Sequence, residues 1–303
     1  GSSVDFSGKG LQGGDITVSE YSIDLGAIKA GNEVFKSLTL TNTGDFSINF
    51  PSFILPNDFK LVSNYCGSAL DPKQNCTINF SVLKTTLGIK NDIISMTSIS
   101  KGSGSTTIPL MFTSIVTPGD PSGNIMFDSP SFATPLIAFT ANDTQVQEVT
   151  SGSVKDIFGN PVAIGTPVTI LLQNLILIES DNVIRTQINK NGTYDGRIVF
   201  HVKSTRSKGP GLIAVSSGNA FGSIPVYLAA GAPYGSITLL PYNKNLIADG
   251  ITQLILRSNT VYDKFGNIIE DGTQIPLSVV GGGNVSTNSL VYSAALTASS
   301  FAG

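Results

Sequence analysis

Two aspartates raise the first chemical question. Asp156 lies in Val154-Lys155-Asp156-Ile157-Phe158-Gly159-Asn160, and Asp263 lies 107 residues on, in Val261-Tyr262-Asp263-Lys264-Phe265-Gly266-Asn267. Paired carboxylates do the acid and nucleophile work of glycoside hydrolysis. These two, however, recur in register within one repeated segment, and the other carboxylates are scattered singly. A residue that repeats with its surroundings serves those surroundings. An Asp at such a position caps a turn through its own backbone, and Gly159 and Gly266 supply φ > 0. The expectation is therefore a structural turn built from Asp156, Gly159 and Asn160, and again from Asp263, Gly266 and Asn267.

Other chemistries find less support. Nucleophilic catalysis needs a Ser or Cys beside a base. The single histidine, His201, sits in Ile198-Val199-Phe200-His201-Val202 with no motif around it, and no Gly-x-Ser-x-Gly elbow occurs. Calcium is the more serious site hypothesis: Asp249, Asp263 and Asp271 fall where tandem extracellular repeats sometimes hold the ion with carboxylates and carbonyls. The Asp-x-Asp-x-Asp-Gly spacing of a helix–loop–helix calcium site is absent, so turn-building remains the leading expectation and no metal is assigned. Gly281-Gly282-Gly283-Asn284 lacks the lysine and following helix of a phosphate cradle and reads as a hairpin connection. The cluster Lys203-Ser204-Thr205-Arg206-Ser207-Lys208 offers three cations to an anionic glycan, against the plainer reading of a solvated loop. No constellation here points to an enzyme, and no cofactor is expected.

Cys66 and Cys76 are the only cysteines. Their spacing is wrong for a zinc knuckle, and no neighbouring ligands complete a set of four. A disulfide is the better reading. It would stabilise by roughly 3 kcal/mol on the chain-entropy model and would imply an oxidising compartment. Two unpaired thiols in neighbouring strands remain the alternative.

The elements that must position these residues are strands. Charged residues make up only 13% of the 303, with 32 Gly and 15 Pro, and mean hydropathy is positive. No run approaches the roughly 18 apolar residues of a membrane helix, so direct membrane insertion is not expected. The apolar pieces are strand-length, as in Val168-Thr169-Ile170-Leu171-Leu172. Cys76-Thr77-Ile78-Asn79-Phe80-Ser81-Val82 alternates with the period of two that marks a half-buried strand. The net charge of −3 argues against a nucleic-acid partner, which would want a basic face. Strands at short, regular spacing with turn residues between them give an all-β fold of sandwiches or barrels.

The 107-residue period matches a whole small domain. Gly165-Thr166 also falls on Gly272-Thr273. The expected division is a flexible lead-in over 1–16, a first domain over 17–117 and a linker over 118–123, where Thr117-Pro118-Gly119-Asp120-Pro121-Ser122-Gly123 leaves little room for a strand. A second domain covers 124–230 and a third 231–303. Gly303 maps back to Gly196, so the third domain lacks a counterpart to Arg197–Leu228. The expectation is a fragment of a longer array, with completion by a strand from another chain as the sharper alternative.

Two resemblances enter on these motifs. Leu25-Gly26, Leu38-Thr39-Leu40-Thr41-Asn42-Thr43-Gly44, Cys66-Gly67, Leu70-Asp71-Pro72 and Cys76-Thr77-Ile78 resemble, in that order, the ASH or choice-of-anchor D type of immunoglobulin-like domain of bacterial surface proteins. That likeness implies a Cys66–Cys76 bridge and a spacer or scaffold module. The third domain resembles the invasin/intimin-type bacterial immunoglobulin-like repeat. In that repeat an Ala-Asp-Gly turn precedes a strand and a Val-x-Asp-x-x-Gly-Asn turn follows it; here they are Ala248-Asp249-Gly250 and Val261 to Asn267. The second domain keeps the latter motif but has Ala141-Asn142-Asp143 in place of the former.

The resemblances imply tandem immunoglobulin-like β-sandwiches in an exported bacterial surface protein, extracellular or at the cell surface, with the periplasm as a variant. The expected role is a stalk that spaces or presents a binding region, with further immunoglobulin-like domains of the same chain as neighbours. One alternative is an adhesin module whose loops recognise a glycan or protein, with Tyr65 and Phe221 as candidate contacts against a default of core packing. Another is an accessory subunit of a secretion, conjugation or filament apparatus.

Overall fold

A computed structural model describes residues 13–100, 104–129, 138–179, 184–188, 194–240, 245, 247, 249–278, 280 and 289–293. Most of the lead-in, the Gly281–Asn284 connection and the C-terminal ten residues lie outside them. The chain divides into two compact units, one of residues 1–121 with 155–163, the other of 122–154 with 164–303. Among the described residues no helix is long and apolar enough to cross a membrane.

The first unit holds a sandwich of nine strands: β1 (Ile16–Val18), β2 (Ser22–Lys29), β3 (Glu33–Asn42), β4 (Ile48–Ile54), β5 (Phe59–Asn64), β6 (Ala69–Leu70), β7 (Asn75–Leu83), β8 (Gly88–Ser100) and β9 (Gly104–Thr117). One sheet has the order β1-β3-β7-β5 and the other β2-β9-β8-β4-β6. All neighbours are antiparallel except β2, which runs parallel to β9. The alternation read in β7 sends Cys76, Ile78, Phe80 and Val82 inward. Leu110 and Phe112 do the same from β9. Side chains on alternate positions share one face of a strand, so these two sets meet in the middle. Phe80 and Phe112 touch edge to face at 6.3 Å, and Phe59 meets Phe112 at 5.1 Å. Each fully buried side chain of this size contributes about 1.5–3 kcal/mol.

Asn42 explains the Asn-Thr-Gly turn after β3. It is fully buried. Its Nδ2 donates to the carbonyls of Phe46 (2.8 Å) and Leu70 (3.0 Å), and its Oδ1 accepts from Gly44 N at 3.0 Å. One amide thus closes the turn and ties β6 to it. Cys66 and Cys76 are joined in a disulfide with Cα atoms 4.9 Å apart, which disposes of the two-thiol alternative.

The second unit holds another sandwich. One sheet runs Phe127–Ser129, Val146–Ser151, Val199–Ser204, Leu175–Leu177, all antiparallel. In the other, Pro167–Gln173, Gly209–Ser217 and Asn219–Ala229 are antiparallel neighbours, while Pro121–Asn124 and Ala138–Thr140 both run parallel to Asn219–Ala229. Phe139, Phe200, Val202, Ile213, Val226 and Leu228 are buried in it. Further along lie two short ladders, Leu239–Leu240 with Arg257–Ser258 and Gln274–Pro276 with Ser289–Val291. They surround a small cluster of Val261, Ile269 and Tyr292, with Ile237 and Ile275 against it.

One local expectation is corrected. The linker does contain a strand, Pro121–Asn124, because its backbone finds a parallel partner in Asn219–Ala229 and needs no side-chain pattern to do so. The strand Ile48–Ile54 passes through Pro51 by slipping register between Asn49 and Ser52, the kind of irregularity at which a sheet accepts proline. Among the described residues Thr252–Leu256 has no ladder partner, and the pairing begins at Arg257.

Candidate functional site

The repeated turn is the most constructed feature of the chain, and its two copies have the same atoms in the same places. Asp156 Oδ1 accepts from the backbone N–H groups of Phe158 and Asn160, both at 2.9 Å. Asp263 Oδ1 accepts from Phe265 at 2.8 Å and Asn267 at 2.9 Å. The backbone closes the loop twice over. Asp156 N donates to Asn160 O at 2.8 Å and Gly159 N to Asp156 O at 3.0 Å. The second copy repeats this with Asp263, Asn267 and Gly266 at 2.8 and 3.2 Å. Both glycines have φ of 83°, a conformation that costs an L-residue roughly 1–2 kcal/mol. Val154 and Val261, buried to 1% and 2% exposure, anchor the loops.

The second oxygen of each aspartate does something local turn chemistry does not require. Asp156 Oδ2 accepts from the N–H of Gly119, in the linker, at 2.9 Å. Asp263 Oδ2 accepts from the N–H of Gly231, in the second hinge, also at 2.9 Å. Each asparagine then reaches outward. Asn160 Nδ2 donates to its own Asp156 at 2.9 Å and to the carbonyl of Thr85, beyond β7, at 2.8 Å. Asn267 Nδ2 donates to Asp263 and to the carbonyl of Arg206, both at 2.8 Å. The motif is therefore a clasp. It grips the linker through the aspartate and an earlier loop through the asparagine.

Each clasp is closed by an aromatic ring. A Cβ on Gly31 would fall on the edge of the Phe158 ring, and Gly31 itself has φ of 84°. Phe265 carries the Arg206 guanidinium over its face at 5.5 Å. The second clasp has further ties: Lys208 N donates to Asn267 Oδ1 at 2.9 Å, and Lys208 Nζ reaches Ile268 O at 3.0 Å and Glu270 at 2.9 Å.

Both aspartates are 4% exposed. Burial by itself would raise their pKa values. The hydrogen bonds from the Asn side chain, the linker glycine and the two turn amides outweigh it and hold both carboxyls below the usual 3.8. Each stays ionised because four donors converge on it.

The looser fit of Ala141-Asn142-Asp143 to the Ala-Asp-Gly turn also resolves. Asn142 Oδ1 caps Thr144 N and Gln145 N at 3.0 and 2.9 Å, as Asp249 Oδ1 caps Ile251 N and Thr252 N at 3.0 and 2.7 Å. Asp143 takes φ of 56° where Gly250 has 74°. Asp is one of the few side chains that tolerate that region.

Asp249 is held at about 2, first by the Thr252 hydroxyl and then by the amides of Thr252 and Ile251. Its oxygens are thus engaged by its own turn. Asp263 is taken by the clasp, and Asp271 lies exposed in the turn before Gly272. Among the described residues no group of three His, Cys, Asp or Glu side chains is placed to hold a metal ion. His201 Nδ1 lies 2.9 Å from Glu179 and Nε2 3.8 Å from Glu148. These neighbours orient an imidazole but supply no nucleophile. The basic cluster is engaged with acids: Lys203 and Arg206 pair with Asp143 at 3.1 and 2.9 Å, and Lys208 serves the clasp. Tyr65 and Phe221, by contrast, are exposed at 71% and 55%.

Sequence reasoning found the clasp turns and missed what they hold. Thr85, Arg206, Gly119 and Gly231 contribute backbone groups, which leave little trace in side-chain identity. Gly119 alone carries a signal, since a Cβ there would lie 3.1 Å from Ala30 O and 3.2 Å from Asp156.

No sequence-family model matches the chain, and no curated protein sequence does. Among solved structures it is similar to the Escherichia coli adhesin FdeC, at 16% identity and TM-score 0.42 over 89% of this chain and 79% of that one. It is similar to Yersinia pseudotuberculosis InvD at 14% identity and TM-score 0.39, over 84% of this chain and 72% of that one. A match to the Vibrio cholerae VesB protease, at 18% identity and TM-score 0.30, covers 33% of this chain and 31% of that one. By its own sheets and strand order, the chain is a tandem of immunoglobulin-like β-sandwiches.

Proposed function

We propose that this chain is a non-enzymatic spacer segment of an exported bacterial surface protein, holding a binding region away from its anchor. The observation that carries the reading is the clasp, built twice from the same residues on successive linkers. A binding surface has no need to repeat itself in this way, whereas a spacer must control every linker it contains. A flexible linker lets its domains wander; a linker amide fixed to a buried carboxylate has lost that freedom. The disulfide fits export, because such bonds persist in oxidising compartments.

Two measurements test the reading. Antibody against this segment should stain intact cells of its source organism, and Cys66 and Cys76 should resist alkylation until reduced. Staining only after lysis, or free thiols in the cell, would overturn export. Amide exchange should show the Gly119 and Gly231 N–H groups protected in the wild type and unprotected when Asp156 and Asp263 are both replaced by alanine. Equal exchange in the two chains would overturn the spacer role.

A second reading, an adhesin module, is favoured by one observation. The outward face of β8 and β9 sets Ile89 beside Ile115 and Ile93 beside Met111, all exposed by 49–73%. A glycan or extracellular-matrix array probed with this segment should be blank on the spacer reading and positive on the adhesin reading.

A further inference from the structure

The most chemically unusual side chain outside the clasp is Lys84, just past the end of β7. Its side chain is 2% exposed. Its Nζ lies 2.9 Å from Asp58 Oδ2 and 2.8 Å from Asp92 Oδ2. The ring of Phe59 forms one wall, with its centroid 5.0 Å from Nζ. Phe59 is itself buried against Phe112. Asp58 belongs to the turn entering β5 and is bound there, its carbonyl accepting from Leu83 N at 2.9 Å. Asp92 sits on β8, fixed in register opposite Phe112. An amine, a carboxylate to attack and a second carboxylate to move protons are thus held together on rigid elements.

A buried ammonium between two carboxylates is a poor source of stability, because removing the charges from water offsets much of their attraction. The same arrangement is a good reaction geometry. Reacting groups held in contact have effective molarities of about 10⁵ M or more, and the Lys84 side chain is shielded from water.

We propose that Lys84 and Asp58 condense to an intramolecular amide, with Asp92 as the proton carrier. Asp92 takes a proton from Nζ. The amine so freed attacks Cγ of Asp58, making the C–N bond. Asp92 passes that proton to one Asp58 oxygen, takes a second proton from the attached nitrogen and passes it to the same oxygen, which leaves as water as the C–O bond breaks. Overall an ammonium and a carboxylate become an amide and one water, and Asp92 ends as it began. The roles follow from exposure. Asp58, 51% exposed, opens to solvent where water can leave, while Asp92, 21% exposed, is the better-shielded carrier. The product would tie the β4–β5 turn covalently to the end of β7, one residue before the Thr85 carbonyl that the first clasp holds.

The test is mass spectrometry on the purified wild-type chain, with the disulfide reduced and alkylated. The amide predicts a mass about 18 Da below the sequence value for the whole population, and a branched proteolytic peptide joining Lys84 to Asp58. Lys84→Arg should restore full mass, and Asp92→Asn should leave the chain uncondensed. Full mass in the wild type overturns the proposal whether or not the variants fold. A loss of 18 Da without a branched peptide, or a branch from Lys84 to Asp92, overturns the assignment.

Discussion

Replacing Asp156 by alanine is the most informative perturbation of the first clasp. The substitution removes the acceptor for three backbone N–H groups, those of Phe158, Asn160 and Gly119. It also removes one of two acceptors for Asn160 Nδ2, which keeps Thr85 O. A buried donor left without a partner costs about 1–3 kcal/mol. Water entering the space of the lost carboxylate recovers part of that, so the expected destabilisation is about 3 kcal/mol. Asp156→Asn should cost about 2 kcal/mol, since its Oδ1 still accepts from the turn while its Nδ2 faces the Gly119 amide, donor against donor. Urea denaturation of both variants gives the free energies. Amide exchange localises them: Gly119, protected in the wild type, should exchange at least tenfold faster in Asp156→Ala, while β3 and β7 keep their protection. A Gly119 amide that exchanges equally fast in wild type and variant would refute the reasoning, because the linker bond would then contribute nothing in solution.

Three further predictions follow from the same geometry. Gly31→Ala should destabilise the first unit by about 2–3 kcal/mol, combining a positive-φ penalty with displacement of Phe158; the near-ultraviolet dichroism of that ring reports the displacement. Cys66→Ala with Cys76→Ala should lower stability by roughly 3 kcal/mol with no change in far-ultraviolet dichroism, as measured by thermal unfolding. The acid limb of stability should also respond. Because Asp156 and Asp263 titrate below 3.8 in the folded chain, their contribution is complete above that pH and is lost as pH falls through the folded values. Urea midpoints recorded from pH 5 to 2 should fall more steeply for the wild type than for the double alanine variant.

What was legible in the sequence was whatever side chains encode. The period-two run of β7 announced its buried face, and the 107-residue repeat announced the turn. The Asn-Thr-Gly turn marked the residue that Asn42 turns out to be. What was not legible was whatever the backbone does alone. The parallel pairing of Pro121–Asn124 with Asn219–Ala229 rests on peptide groups that Pro and Gly do not advertise, and so does the grip of Asp156 on Gly119. Tyr65 and Phe221 defaulted to the core, yet both face solvent: Phe221 sits at an outward position of Asn219–Ala229, where strand parity and not residue type decides which way a side chain points, and Tyr65 lies just past the end of β5. Lys84 gave no sign in the sequence, since its two carboxylates come from separate strands and loops.

The central claim is that the repeated turn immobilises the linker before it. Backbone ¹⁵N relaxation at Gly119 and Gly231 tests it most directly. The account predicts order parameters of about 0.85 at both glycines, as in packed strands. It also predicts that each falls below about 0.6 when its own aspartate is replaced by alanine and stays high when the other is. Values below about 0.6 at both glycines in the wild type would mean that the linkers are free and the clasp is only a turn.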